Sequence, residues 1–324
     1  MQQIKIGENE AGQRMDKFLH KYLPLAPSSF FYKMLRKKNI TLNGKKAQGK
    51  EKLAAGDLIS FYLSEETVCG FRENTLDIKE YEEAYRRLKG IIIVYEDEDI
   101  VIMNKPSGIL SQKAKQDDLS LNEWMIGYLL DKRALNAKQL STYRPSICNR
   151  LDRNTQGLVI GARSLPGSQE MNRLISSRSI RKFYCMLVKG QVEKEEVLEG
   201  FLVKDEKNNK VHLVENKLGE HGDFIKTRYY PVRHFGDRTL VEAELITGKT
   251  HQIRIHMASI GHPLLGDYKY GDRRWNDEYK RRYHIDRQLL CACRLEFPKM
   301  DAPFERLDRK VFEIPYPKEF QKLL

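Results

Sequence analysis

Three segments of the chain set polar side chains beside apolar strand-like runs. In Asn149-Arg150-Leu151-Asp152-Arg153-Asn154-Thr155-Gln156-Gly157-Leu158, a polar turn carries one carboxylate between two arginines and feeds an apolar stretch. Arg181-Lys182-Phe183-Tyr184-Cys185-Met186-Leu187-Val188-Lys189-Gly190 puts a phenol inside a strand pattern. Thr247-Gly248-Lys249-Thr250-His251-Gln252-Ile253-Arg254-Ile255-His256 leads a guanidinium into a short helix. Loops held by rigid strands are where catalytic groups tend to sit, and a carboxylate, a phenol and a guanidinium are residue types that serve acid–base and nucleophilic chemistry. Each also has a plain structural reading. Asp152 suits an ion pair or a turn cap, Tyr184 a packed core position, and Arg254 a surface cation.

The elements around these segments follow from periodicity. Ile91 to Tyr95 and Ile100 to Met103 read as a hairpin across the acidic turn Glu96-Asp97-Glu98-Asp99, ended by Asn104-Lys105-Pro106-Ser107-Gly108. Further strands are expected at Leu158 to Ile160, Lys182 to Val188, Thr227 to Val232 and Leu240 to Leu245. Helices are expected at Leu121 to Leu130, Ser168 to Ser176 and around His251 to Ser259. Many strands with few helices predict an α+β domain on a mixed, mostly antiparallel sheet with flanking helices. A small α/β domain precedes it, giving boundaries of 1–63, a linker at 64–90 with Glu82 to Leu88 helical, and a large domain at 91–324.

Composition narrows the partners. At 324 residues the chain can bury a substantial core, and 40% hydrophobic with 31% charged residues is too apolar for wholesale disorder. No run approaches the ~20 apolar residues of a membrane span, and the start has no apolar signal-peptide core. Five scattered cysteines point to reduced thiols in a cytosolic protein. The formal net charge is +12, and residues 1–63 hold 12 basic against 5 acidic side chains, more than half of that excess. Such a segment attracts polyanions, nucleic acid first among them, or serves as a solubilising surface.

Within that segment, Met15, Phe18, Leu19, Tyr22 and Leu23 make one apolar helix face. Pro24 and Pro27 break the helix, and Ser28 or Ser29 is expected to cap a second one running from Phe30 to Lys38. Its Lys33, Arg36, Lys37 and Lys38 form a basic side. Short strands follow around the turn pair Asn43-Gly44 and after Gly56-Asp57. The order of Arg14-Met15-Asp16, Ser28, Asn39 to Gly44 and Gly56-Asp57 resembles the S-four RNA-binding domain over about Arg14 to Leu63. That resemblance implies that Lys33, Arg36, Lys37 and Lys38 contact phosphates of structured RNA, which positions a protein without reading sequence.

The three polar segments, in order, resemble the signature of the RluA-type pseudouridine synthase family. Tyr95-Glu96-Asp97, Asn104 to Gly108, and Gly266-Asp267 with Tyr270-Gly271 fit as well, so the likeness spans roughly Ile91 to Pro298. The family converts uridine in RNA to pseudouridine: the bond from base to sugar breaks, the base turns, and a carbon–carbon bond forms. No oxidation state changes, so the resemblance implies no cofactor and no metal. It makes Asp152 the catalytic carboxylate, attacking the uracil ring or the anomeric carbon. Arg254 pairs with Asp152, holding it ionised and aimed. Tyr184 stacks on the flipped uracil and serves as a base, and Arg150 fills the gap left in the stack. Large-subunit ribosomal RNA is the favoured substrate, transfer RNA the second, and the protein is expected to be a cytoplasmic monomer with no membrane association.

The chain departs from the signature at Asn149, where histidine is usual, at Gln156 for serine, and at Cys291, a position commonly holding histidine. All three are expected around the pocket. They support an alternative reading, a catalytically inactive RNA-binding or ribosome-assembly protein; the retained Asp152, Tyr184 and Arg254 favour the enzyme. Metal-assisted RNA hydrolysis lacks clustered acids beside Asp152. Cys291-Ala292-Cys293 lacks zinc-site spacing and reads as buried thiols, and His251 and His256 are not at the spacing of a metal pair. Lys204 to Lys210 reads as a charged hairpin tip or loop. Arg273-Arg274-Trp275 through Tyr283 suits an RNA path or a solvated helix face equally.

Overall fold

A computed structural model of the chain describes residues 1–7, 10–72, 78–205, 210–214 and 222–324. The N-terminal elements are β1 (Gln2–Lys5), α1 (Met15–Tyr22), α2 (Ser28–Arg36), β2 (Ile40–Leu42), β3 (Lys45–Lys46) and β4 (Leu58–Phe61). Their four strands form one antiparallel sheet in the order β1-β4-β2-β3. Asn43 and Gly44 both take positive φ, 51° and 71°, which turns β2 into β3 within two residues. Phe18, Leu19, Phe31, Leu35, Ile40, Ile59 and Phe61 close a core of their own. The second helix starts earlier than the serine caps implied. Pro27 is its N-cap residue, and Ser28 instead hydrogen-bonds the His20 ring.

Within the stretch read as a linker, α3 (Glu65–Phe71) and α4 (Lys79–Arg87) form, and Tyr81 and Ala84 of α4 are buried. The large sheet then builds from β5 (Ile92–Glu96), β6 (Ile100–Lys105), β7 (Ser146–Ile147), β8 (Gln156–Ala162), β9 (Arg181–Lys189), β10 (Glu196–Asp205), β11 (Lys210–Val214), β12 (Asp223–Phe235), β13 (Arg238–Leu245), β14 (Leu290–Glu296) and β15 (Val311–Glu313). Helices α5 (Leu121–Asp131), α6 (Ala137–Leu140), α7 (Leu165–Ser176), α8 (Gln252–Ser259), α9 (Arg273–Tyr283) and α10 (Lys318–Gln321) interrupt them. The order is β11-β10-β12-β13-β9-β14-β8-β6-β5, with β15 on β14 and β7 on β8. Only the β14–β8 pairing is parallel among the described strands, so the sheet is mixed and mostly antiparallel, as the pattern predicts. The residues between β10 and β11, 206–209, where a charged hairpin tip was expected, lie outside the described ones.

Alternation along the central strands assigns the two faces. Phe183, Cys185 and Leu187 of β9 pack with Ile100, Ile102, Ile160, Met171 and Leu174, and with Trp275 and Tyr279 of α9. Tyr184, Met186 and Val188 face the other way, among Val101, Met103, Trp124, Met125, Ile253 and Met257. Burying each such large side chain stabilises by about 1.5–3 kcal/mol. Parity corrects one expectation. Cys291 pairs with Cys185 and Ala292 with Tyr184, so Cys291 lies in the α7–α9 core, away from the face bearing Tyr184. Helix α9 buries Trp275, Asn276 and Tyr279 and leaves Arg273, Arg274, Lys280, Arg281 and Arg282 exposed.

Candidate active site

The carboxylate turn between β7 and β8 is fastened to the loop after β6. Ser111 grips one residue from both sides, its hydroxyl donating to the Leu151 carbonyl at 2.7 Å and accepting from the Leu151 amide at 2.9 Å. Ser107 donates to the Asn154 carbonyl at 2.8 Å, and the Gly108 amide to the Arg153 carbonyl at 2.8 Å. Gly157, at φ +125°, lets the turn re-enter β8 against β14, where a Cβ would meet the Ala292 carbonyl oxygen at 2.3 Å. Asn149 bonds inward as well, accepting from the Ile160 amide at 2.8 Å and donating to the Leu158 carbonyl at 3.4 Å.

Lys105 locks this arrangement from beneath. It is fully buried, and its ammonium donates to the carbonyls of Pro106 (3.1 Å), Ile109 (2.9 Å) and Arg153 (3.1 Å). Burial pulls its pKa down to about 7, with the Asp152 carboxylate pulling the other way. Lys105→Met strips three carbonyls of their donor and should cost roughly 3 kcal/mol in urea unfolding at neutral pH. The pH dependence has a fixed sign. Between about 7 and the ordinary lysine value of 10.5, the unfolded chain holds a proton that the native state has released. Wild-type stability relative to Lys105→Met should therefore rise across that window; a flat difference would show that the native amine keeps its proton.

Asp152 points from this turn toward the start of α8. Arg254 Nη1 lies 3.4 Å from Asp152 Oδ2, and His251 Nε2 lies 3.7 Å from the same oxygen. Arg254 is not the surface cation of its local reading; it is 7% exposed. Nor is Asp152 its chief partner. Its Nε and Nη2 donate to Asp267 Oδ2 and Oδ1 at 2.7 and 2.8 Å, a bidentate pair, and Nη1 bridges onward to Asp152. Asp267, 1% exposed, also accepts from the Lys269 and Tyr270 amides. Burial pushes its pKa up, but Arg254 and those amides outweigh that and hold it below the usual carboxylate range. Asn276 of α9 pins the Asp267 loop, donating to the Asp267 carbonyl and accepting from the Gly266 amide.

Residue 251 occupies left-handed backbone (φ 58°), a conformation more accessible to His, Asn and Asp than to other non-glycine residues. Burial lowers the pKa of its imidazole, opposed by Asp152 and reinforced by Arg254 and Lys269. Tyr184 lies on the adjacent strand face, 6% exposed. Burial, and then the Asp152 charge, raise its phenol far above the ordinary value.

A cavity of about 790 Å³ opens over Asp152, Tyr184 and Arg254, so the three segments meet as anticipated. Arg150, exposed, stands on its wall, and so does Asn149; Gln156 and Cys291 are not among its lining residues. Among the described residues, seven Lys and Arg side chains line it against a single carboxylate, Asp152. Lys33, Arg36, Lys37 and Lys38 are exposed on α2 and the turn after it, and none of them lines the cavity. Among the described residues no cluster of three or more His, Cys, Asp or Glu is arranged to hold a metal ion, and no helix is long and apolar enough to cross a membrane. Lys105, Ser111 and Asp267 were not singled out from the sequence. Lys105 and Asp267 lie in Asn104 to Gly108 and Gly266-Asp267, stretches that carry the family resemblance, but local residue type gives neither a role.

A cation-walled cavity with one carboxylate, cut into one face of a mixed sheet, defines a site for an anionic polymer and for chemistry at one reacting unit of it. Residues 99–259 match the family model described as RNA pseudouridylate synthase. The ribosomal large subunit pseudouridine synthase C of Vibrio cholerae is 32% identical over 305 residues, spanning 92% of this chain and 89% of that relative. An uncharacterized RNA pseudouridine synthase of Mycoplasma genitalium is 30% identical over 92% of this chain and 89% of its own. The solved human RNA Pseudouridylate Synthase Domain Containing 4 shares the fold at a TM-score of 0.58 and 21% identity, covering 76% of this chain and 95% of that one. The chain belongs to the RNA pseudouridylate synthase family. It is an enzyme whose substrate is RNA and whose reaction isomerises uridine.

Proposed function

We propose that this enzyme makes pseudouridine in large-subunit ribosomal RNA, with Asp152 as the catalytic carboxylate. The observation that carries the role of Asp152 is its position as the one carboxylate of a cation-lined cavity, gripped through its backbone neighbours and facing Arg254 at 3.4 Å. The proposed sequence begins with a uridine swung out of its stack, with Arg150 entering the gap. Its base lies on the Tyr184 ring. Asp152 attacks the anomeric carbon or the uracil ring, the N1–C1′ bond breaks, the base turns, C5 bonds to C1′, and the bond to Asp152 breaks to return the free carboxylate. The C5 proton leaves and N1 gains one, so the overall change is an isomerisation. The upward push on the Tyr184 phenol makes it a hydrogen-bond donor at neutral pH; accepting a proton there requires its own phenolic proton to leave. The names of relatives that act on the ribosomal large subunit support the substrate.

The N-terminal module is proposed as an S-four RNA-binding domain, bounded at 1–63, that lays Lys33, Arg36, Lys37 and Lys38 on RNA phosphates, in a cytoplasmic monomer. Its support is the exposure of all four cations on α2 and the turn after it, beside a separate small core. Replacing the four with Gln should flatten the slope of log binding constant against log salt by roughly 3 units and raise KM. An unchanged slope would remove the module from the RNA interface. The substrate is tested by mapping pseudouridines in ribosomal and transfer RNA of cells lacking the gene, before and after adding the pure protein. New sites confined to transfer RNA would overturn the ribosomal assignment.

A further inference from the structure

Four of the cavity's seven cations stand in no ion pair among the described residues: Arg150, Arg153, Arg178 and Lys182. Arg150, Arg153 and Arg178 are exposed residues. Lys182 differs. It is partly buried at the start of β9, and its Nζ lies 3.6 Å from where a Cβ on Gly248 would stand, so the ammonium lies against the bare backbone of the 247–250 loop. No described hydrogen bond or ion pair receives its protons. The nearest charge acting on it is another cation, Arg178, just past the end of α7. Burial, then Arg178, bias the amine against its proton. A partly desolvated cation beside a second cation is costly unless an anion completes the group.

Position says which anion. Lys182 and Tyr184 are two apart on one strand, so they rise from the same sheet face about 7 Å apart. A nucleotide whose base rests on Tyr184 has its flanking backbone phosphates within reach of a side chain two residues along the strand, and Lys182 and Arg178 line the same cavity. We propose that Lys182, backed by Arg178, forms a subsite for a backbone phosphate flanking the uridine held on Tyr184. This rests on the isomerase reading of the same cavity. Lys182 is then a positioning residue: it draws the backbone down beside the strand and so sets how deep the base enters, without touching the bonds that change.

The test pairs equilibrium binding with turnover, using a large-subunit ribosomal RNA transcript tritiated at uracil C5. For Lys182→Gln, the slope of log binding constant against log KCl should become less steep by about 0.7–0.9, and binding at 0.15 M salt should weaken roughly fivefold. In turnover the loss should fall on KM rather than kcat, and Lys182→Arg should restore the slope. Arg178→Gln, at an exposed residue, should flatten the slope even if Lys182→Gln unfolds in a thermal melt. Unchanged slopes in both variants would overturn the subsite. So would a fall in kcat at saturating RNA with the slope unchanged, which would place Lys182 in the chemistry or the core. Because binding is read separately, a wild-type protein that releases no tritium refutes the isomerase reading while the salt slopes still decide the phosphate contact.

Discussion

Asp152→Asn should reduce tritium release from uracil C5 by about 10⁴-fold or more, the scale on which enzymes lose turnover when a nucleophile is removed. RNA affinity should stay within a few-fold, because the substitution keeps the shape of a side chain that is 29% exposed and removes a negative charge from a cationic wall. The fold should survive too. Arg254 loses only its longer contact, 3.4 Å, and keeps the bidentate pair with Asp267 at 2.7 and 2.8 Å. Single-turnover release from a labelled transcript, beside filter binding of the same RNA, measures both quantities. Turnover within tenfold of wild type would strip Asp152 of its role. Tight binding by a wild-type protein that itself shows no turnover would instead favour the assembly-factor alternative.

Asp267→Asn is expected to have the second-largest effect, and it reads stability as well as activity. Both partners are buried, and the change leaves the Arg254 guanidinium without its main counter-charge, an event that costs about 3–5 kcal/mol in comparable buried pairs. Activity should fall about a hundredfold, the penalty of a misplacement near 1 Å, because Arg254 is then free to collapse onto Asp152. Acid behaviour offers a check with a defined sign. The native Asp267 pKa lies below its ordinary 3.8, so its contribution is fully present above that value and is lost as pH falls through the native value. Wild type should therefore lose part of its advantage over Asp267→Asn below about pH 4, and urea unfolding at pH 7 and pH 3.5 measures it. Equal stability at pH 7 would mean that the pair is not what holds Arg254.

The departures from the family signature look different once their directions are known. Asn149 spends both ends of its amide on the backbone of β8, so it serves the shape of the turn although it also borders the cavity. Gln156 and Cys291 sit in register with one another across the parallel β8–β14 pair. Neither lines the cavity, so neither is placed to choose the RNA.

Much of this was legible in the chain itself. Apolar runs and turn chemistry found β5, β6, β8, β9 and β13 and the Asn43-Gly44 hairpin, because β6, β8 and β9 are buried on both faces and so read as nearly continuous apolar stretches, while the hairpin needs a positive φ. The charge bias of the first 63 residues and the three polar segments were visible for the same reason: they are local facts about residue type and spacing. What the tertiary structure alone decided is contact between distant segments. β10, β11 and β14 escaped the pattern, and β12 was seen only in part, since it reaches past the core into solvent and loses its alternation there. The burial of Cys291 on the far face depends on its register with Cys185, which no local period encodes. Arg254 reads alone as a surface cation and becomes a buried bridge only because α9 holds the Asp267 loop against it. Periodicity reports which side of an element is apolar; which charges face each other across a cavity is set by how the elements pack.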